Sequence, residues 1–128
     1  MCFKREVAAL RPSNDEWHHI AGTLIASTAT SGIKEIFIDG VSPGSCVYTD
    51  KNDVVGTHEI SFGRRNLSGS SIEHFEGMID EVRISSVVRY TTDFTPAAAF
   101  DVDSDTLALW NFDDGSGSTV SEAVAGND

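Results

Sequence analysis

The chain is poor in cysteine, poor in basic residues and free of long apolar runs, and each shortage removes a class of function. Of its 128 residues only Cys2 and Cys46 are cysteines, too few for a disulfide scaffold. One bridge between them and two free thiols both stay open. No stretch of about 18 apolar residues occurs, so no transmembrane helix and no membrane insertion are expected. The first ten residues lack the apolar core of a secretory signal. A cytosolic protein, or a piece of a longer secreted one, fits that start. Lys and Arg total 9 against 20 Asp and Glu, a net charge of −11. Affinity for phosphates comes from clustered Lys and Arg, so a nucleic-acid partner is excluded. Lys4-Arg5 and Arg64-Arg65 are the only adjacent basic pairs. The acidic excess fits a solvated surface, or Ca²⁺ held by oxygen ligands. A helical period of ten or more residues is missing throughout.

What is present is a series of short strands between turn signals. Phe3 to Leu10 alternates, and Arg11-Pro-Ser-Asn-Asp-Glu ends it. Trp17 to Ala26 is a second strand, and Ser27 to Gly32 a small polar loop. Ile33 to Val41 follows, with Ile36 and Ile38 on one face and a hairpin signal at Asp39-Gly40. Ser42 to Asp53 is loop-like, with Cys46-Val47-Tyr48 as a short edge strand. Val54 to Gly63 is the next strand, Ile60 and Phe62 inward, and Arg64 to His74 a long connection. In Phe75 to Ser85, Ile79 points to one face and Val82 and Ile84 to the other. One extra residue restores a single apolar face, so a β-bulge is expected at Asp80-Glu81. Leu107 to Phe112 is a compact strand, and 113–128 an acidic, Gly- and Ser-rich tail with little to bury. The pattern predicts an all-β, antiparallel β-sandwich.

Four pieces stand in a telling order: Trp17-His18-His19-Ile20-Ala21-Gly22-Thr23, Ile36-Phe37-Ile38-Asp39-Gly40, Ile60-Ser61-Phe62-Gly63 and Phe75-Glu-Gly-Met-Ile-Asp-Glu-Val-Arg-Ile84. Together they resemble the laminin G-like family, in its bacterial branch. That family runs Trp-x-His-Val-Ala-Gly-Thr, Tyr-Val-Asp-Gly, Ile-Gly and Phe-x-Gly-x-Ile-Asp-Glu-Val-Arg-Ile. The resemblance implies two packed antiparallel sheets in a concanavalin A-like jelly roll. It implies a non-catalytic role in carbohydrate binding or adhesion, at the cell surface or outside the cell, as part of a larger protein. It also makes His18 or His19 a packing and hydrogen-bonding residue near Trp17.

Two departures bear on completeness. Only sixteen residues precede Trp17, where the family has further strands. Leu107-Ala-Leu-Trp-Asn-Phe112 resembles the family's opening strand, here near the C-terminus. The expectation is a truncated or circularly permuted domain over 1–112, with 107–112 folding back beside Phe75 to Ser85. Its rival makes 107–112 the start of a following repeat.

Glucanases of this fold set two carboxylates on one strand face as Glu-x-Asp-x-Glu, close together for a retaining mechanism. Glu73, Glu76, Asp80 and Glu81 do not have that spacing. Asp80 and Glu81 are expected to pair with Arg64 or Arg83, or to accept backbone N–H groups. Ser-nucleophile, Cys–His and phosphate-loop motifs are missing, so an enzyme is not expected. His18 and His19 point to opposite faces of a strand and cannot chelate one metal. Asp101-x-Asp103-x-Asp105 lacks the Gly and the closing Glu of an EF-hand loop. For Ca²⁺ the candidate ligands are Asp50, Asp53 and Asp113, with Asn52 and Asp114 beside them. A sugar wants an aromatic plane and polar groups on loops. Tyr48 and Tyr90 are the aromatic candidates, and Asn52, Asp53 and Arg64 the polar ones, next to Arg65 and Asn66. Trp17 and Trp110, within strands, are expected in the core. The partners expected are a carbohydrate or a cell-surface or matrix protein, and a second copy meeting the sheet edges.

Overall fold

A computed structural model describes residues 15–28, 31–48, 60–66 and 72–124. Every regular element among them is a strand, and all pairing is antiparallel. The strands are β1 (Ile20–Thr28), β2 (Ser31–Ile38), β3 (Ser45–Tyr48), β4 (Arg64–Asn66), β5 (Ile72–His74), β6 (Val82–Ser85) and β7 (Thr106–Trp110). They form three sheets, β1-β2-β3, β4-β5 and β6-β7. The chain divides into two compact units, each built from two separate segments. One holds Met1–Val54 and Val87–Ala98, the other Val55–Ser86 and Ala99–Asp128.

In the first unit β1 and β2 pair from Ile20↔Ile38 to Thr28↔Ser31. The strands therefore run on through most of the stretch from Ser27 to Gly32, which its small polar residues mark as a loop. The Thr28 and Ser31 hydroxyls meet at 2.7 Å, so side chains of loop character support the pairing. The second hairpin is the one that Asp39-Gly40 signals. Ile38 and Val41 exchange backbone hydrogen bonds of 3.0 Å, with φ of 53° at Asp39 and 79° at Gly40 between them. Positive φ at both central residues is what a two-residue type I′ hairpin turn requires. Phe37 is fully buried and Ile38 8% exposed, on opposite faces of β2. The Phe37 ring meets Phe94 edge-on at 5.5 Å and Tyr90 at 6.2 Å, both from the returning segment Val87–Ala98. Burying such a ring contributes about 1.5–3 kcal/mol. Trp17, expected in the core, precedes β1 and is 63% exposed.

In the second unit β6 pairs with β7, from Val82↔Trp110 to Ser85↔Thr106. Leu109, opposite Arg83, is its buried centre at 1% exposure. The Trp110 ring meets Phe62 at 5.4 Å. Residues 121–124 return to β7, where Ala123 N–H donates to the Leu109 carbonyl at 2.8 Å. The tail therefore has a backbone attachment, which its composition does not reveal.

Three expectations are corrected here. Phe75 to Ser85 is not one bulged strand: 75–81 is irregular and β6 begins at Val82. Glu81 stands at φ 52°, left-handed and outside any strand pairing, so the change of face comes at a break before β6. Arg64 to His74 is not merely a connection, because β4 and β5 pair within it, Arg64↔His74 to Asn66↔Ile72. Ile60 is 69% exposed rather than inward, and Phe62 is 42% exposed. The expected strand Phe3 to Leu10 and the stretch 54–59 lie outside the described residues.

Candidate functional site

Each unit holds a polar constellation among its described residues. In the first, the β2–β3 hairpin turn presents Asp39. Asp39 N–H donates to the His19 carbonyl at 2.8 Å. Its carboxylate accepts His19 N–H at 3.0 Å on Oδ1 and meets His18 Nδ1 at 2.8 Å on Oδ2. The His18 contact, then the His19 N–H, hold the Asp39 carboxyl below its ordinary value. Such a carboxylate only accepts, so Nδ1 carries the hydrogen. The His19 ring turns the other way, edge-on to Phe94 at 5.4 Å and Tyr90 at 6.1 Å. The adjacent histidines thus divide the work, one clamping the turn and one packing.

The second constellation is a cavity of about 230 Å³, lined by Asn111, Phe112, Asp113, Asp114, Ser121, Glu122 and Ala123. Two of its carboxylates are tied to backbone. Glu122 Oε1 accepts the N–H groups of Leu109 and Val124 at 3.0 and 2.9 Å. Asp114 accepts Ser121 N–H and Oγ–H, each at 2.8 Å. These bonds, the backbone one first, lower the Asp114 carboxyl from its ordinary value. Asn111 Oδ1 and Glu122 Oε2 are buried and have no hydrogen-bond partner among the described residues. The lining is rich in oxygen acceptors, the chemistry a hard cation takes. Among the described residues, however, no three His, Cys, Asp or Glu side chains stand where they alone could hold a metal. The volume falls below the roughly 300–1,000 Å³ of typical small-molecule sites, so it suits an ion or water better than a sugar ring.

The residues singled out for binding scatter over this frame. Asp113 is exposed at the cavity. Arg64 is exposed on β4, opposite His74. Tyr90 is half-buried, its ring stacked on Phe94 at 3.6 Å and 5° between planes. One face of the Tyr90 ring is therefore occupied by Phe94. Tyr48 ends β3, and Asp50, Asn52 and Asp53 lie outside the described residues.

Other carboxylates resolve into local supports. Glu81 Oε2 accepts Phe100 N–H at 3.0 Å, and Asp80 Oδ1 accepts Glu81 N–H at 2.9 Å. Asp103 Oδ1 accepts Asp105 N–H and the Thr106 hydroxyl, at 3.0 and 2.9 Å. The spaced aspartates after Phe100 therefore build the turn into β7.

With Trp-x-His joined to the Asp-Gly turn through Asp39, the shared pattern has a structural meaning. A family model of the laminin G type, described as the concanavalin A-like lectin/glucanases superfamily, matches residues 5–93. The chain belongs to this family. No curated protein and no solved structure matches it. Domains of this laminin G-like family are generally non-catalytic binding modules. The Asp39 clamp and Glu122 were not singled out by sequence reasoning. Asp39 reads as a turn residue, and nothing local ties it to a histidine 21 positions earlier. Glu122 is hidden in a stretch whose composition reads as tail.

Proposed function

We propose that the chain is a non-catalytic carbohydrate-binding module of a secreted or cell-surface protein. The observation that carries the reading is family membership over residues 5–93. The carboxylate chemistry supports it. Asp80, Glu81, Asp114 and Glu122 spend oxygens on backbone N–H groups. A retaining glycosidase needs two carboxyl groups facing one bond instead. Arg64 supplies exposed hydrogen-bond donors on β4, and Phe62, two residues before it, offers a partly exposed ring on which a sugar can stack. A Ca²⁺ ion, if the module uses one, would take the oxygens of Asn111, Asp113 and Glu122, completed by water, and would neutralise the carboxylates there.

The test is a glycan array probed with the full chain, with Ca²⁺ and with a chelator. Binding to a defined set of glycans, weakened by Arg64→Ala, is the expected result. A folded chain that binds no glycan in either condition sinks the carbohydrate reading. Equal binding in both conditions removes Ca²⁺ from it.

A further inference from the structure

Among the described residues, β1 is an outer strand of the β1-β2-β3 sheet. The hydrogen bonds at its start fix which backbone groups face outward. Asp39 N–H donates to the His19 carbonyl, across the β1–β2 pair. Ile38 and Val41 exchange their bonds on the opposite side of β2. Backbone direction alternates along a strand, so the odd-numbered residues of β1 address β2. Ile20, Gly22, Leu24 and Ala26 direct their N–H and C=O groups away from the sheet. Their side chains share one face, where Ile20 is 55% and Leu24 57% exposed.

Natural edge strands are blunted by lysine, proline, inward charges or bulges. Ile20–Thr28 reads IAGTLIAST, without charge or proline, in a chain of net charge −11. Its only register shift lies at Ala26/Thr28, the far end. Strand β1 is thus a long uncharged edge on a strongly acidic chain, where two copies can meet without opposing like charges along the strand.

We propose that β1 pairs with β1 of a second copy, antiparallel, about a two-fold axis through Gly22. Facing residues must share a sheet face, so the axis passes through a residue and not between two. Any such axis uses the outward groups, and three of them set Leu24 against the partner's Ile20, Gly22 or Leu24. An axis at Leu24 sets Ile20 against Thr28, and one at Thr23 sets Leu24 against Gly22. The axis at Gly22 sets Ile20 against the partner's Leu24, twice by symmetry, the best apolar cross-strand pairing of the three. A Cβ placed on Gly22 meets nothing within 4 Å, so the axis is sterically open. The product is a six-stranded sheet, β3-β2-β1-β1-β2-β3. The other occupants of this edge, residues 3–10 of the same chain or a strand of a different protein, are decided by the same experiment.

Sedimentation velocity of the full chain over a wide dilution series tests this. The mass should rise with concentration from 13.8 kDa toward twice that value. Added salt should favour the dimer by screening the acidic surfaces. Leu24→Lys, at an exposed position, should weaken association about tenfold or more with unchanged circular dichroism. A second readout does not depend on that variant. In a Cys2→Ser, Cys46→Ser background, Gly22→Cys should oxidise to a covalent dimer, because facing residues lie about 4.5–5.5 Å apart. Ala26→Cys should not, since that axis leaves its two copies roughly 27 Å apart. A monomer at every concentration overturns the proposal and assigns the edge to another occupant. A dimer indifferent to Leu24→Lys, or equal cross-linking of the two cysteine variants, overturns it as well.

Discussion

Replacing Gly40 by alanine should be among the most damaging single-methyl changes available to this chain. Gly40 has φ of 79°, and a Cβ there falls 1.8 Å from the Phe94 carbonyl oxygen and 3.0 Å from Pro96 Cδ. The left-handed conformation alone costs a non-glycine residue roughly 1–2 kcal/mol. The clash cannot be relieved by a side chain, because the near atom is backbone. Phe94 must retreat, and its N–H bond to the Gly40 carbonyl, 2.9 Å long, goes with it. That bond contributes about 0.5–1.5 kcal/mol. The Tyr90–Phe94 stack and the edge contacts to Phe37 and His19 are then disturbed, about 0.5–1.5 kcal/mol for each aromatic pair lost. Together these reach about 3–8 kcal/mol if every pair is lost, and because the cluster can relax in part a loss of about 3–5 kcal/mol is expected, at the upper end for point mutations. Two other glycines separate these causes. Gly44 has φ of 130° with open space around its Cβ position, so Gly44→Ala bears only the conformational cost. Gly22 has open space and no positive φ, so Gly22→Ala should stabilise the strand by about 0.5–1 kcal/mol. Urea unfolding followed by far- and near-ultraviolet circular dichroism measures all three, the near-ultraviolet signal reporting the aromatic cluster. The expected order of stability is Gly22→Ala, wild type, Gly44→Ala, Gly40→Ala. If Gly40→Ala unfolds at the same urea concentration as Gly44→Ala, the contact with Phe94 is not what confines Gly40, and the reasoning fails.

Two further outcomes follow from the hydrogen bonds and the core. The Asp39 carboxyl is held below its ordinary 3.8, so its bonds to His18 and His19 stabilise the fold fully above that pH and are lost as pH falls through the lower folded value. Asp39→Asn should be less stable than wild type near neutrality, and the gap should close as the pH falls below 3.8 and through the lowered folded value. The difference should not exceed about 1 kcal/mol, because the Asp39 side chain is 51% exposed. Denaturation midpoints of both proteins over that range check it, and a gap that does not close contradicts it. Leu109→Ala should cost about 2–5 kcal/mol in the second unit, and Leu107→Ala on the same strand within about 0.5 kcal/mol, given exposures of 1% and 51%. Similar losses at the two positions in a thermal melt would mean that β7 is not buried on one face.

What the sequence reveals depends on how locally each feature is encoded. The Asp39-Gly40 turn is legible because two adjacent residues determine its backbone conformation. β2 is legible because Ile36, Phe37 and Ile38 are all apolar. β4 and β5 are not, since three residues apiece, all polar but Ile72, are too few to show an alternation. The break at Glu81 shows in the sequence only as a parity fault. A bulge and a left-handed residue both cure such a fault, and the choice rests on Phe100, whose N–H the Glu81 carboxylate takes. Trp17 misleads because a large ring next to an apolar run suggests burial, whereas β1 starts three residues later. Of the candidate site, Asp113 is legible as a carboxylate in a turn-rich stretch. The buried oxygens of Asn111 and Glu122 that share its cavity depend on the tail returning to Leu109. No local pattern announces that return.

The two-segment make-up of each unit sets limits on dissection. A fragment ending at Ser86 would lack the rings of Tyr90 and Phe94 and so uncover Phe37. It would also lose the partner strand of β6. A fragment starting at Val55 would keep β6 and β7 but carry Val87–Ala98 with no sheet to pack on. Neither unit can be expressed as an uninterrupted stretch of its own residues. A separable half requires joining Val54 to Val87, or Ser86 to Ala99, by a designed linker. The chain is therefore better shortened by splicing out a segment than by trimming either end.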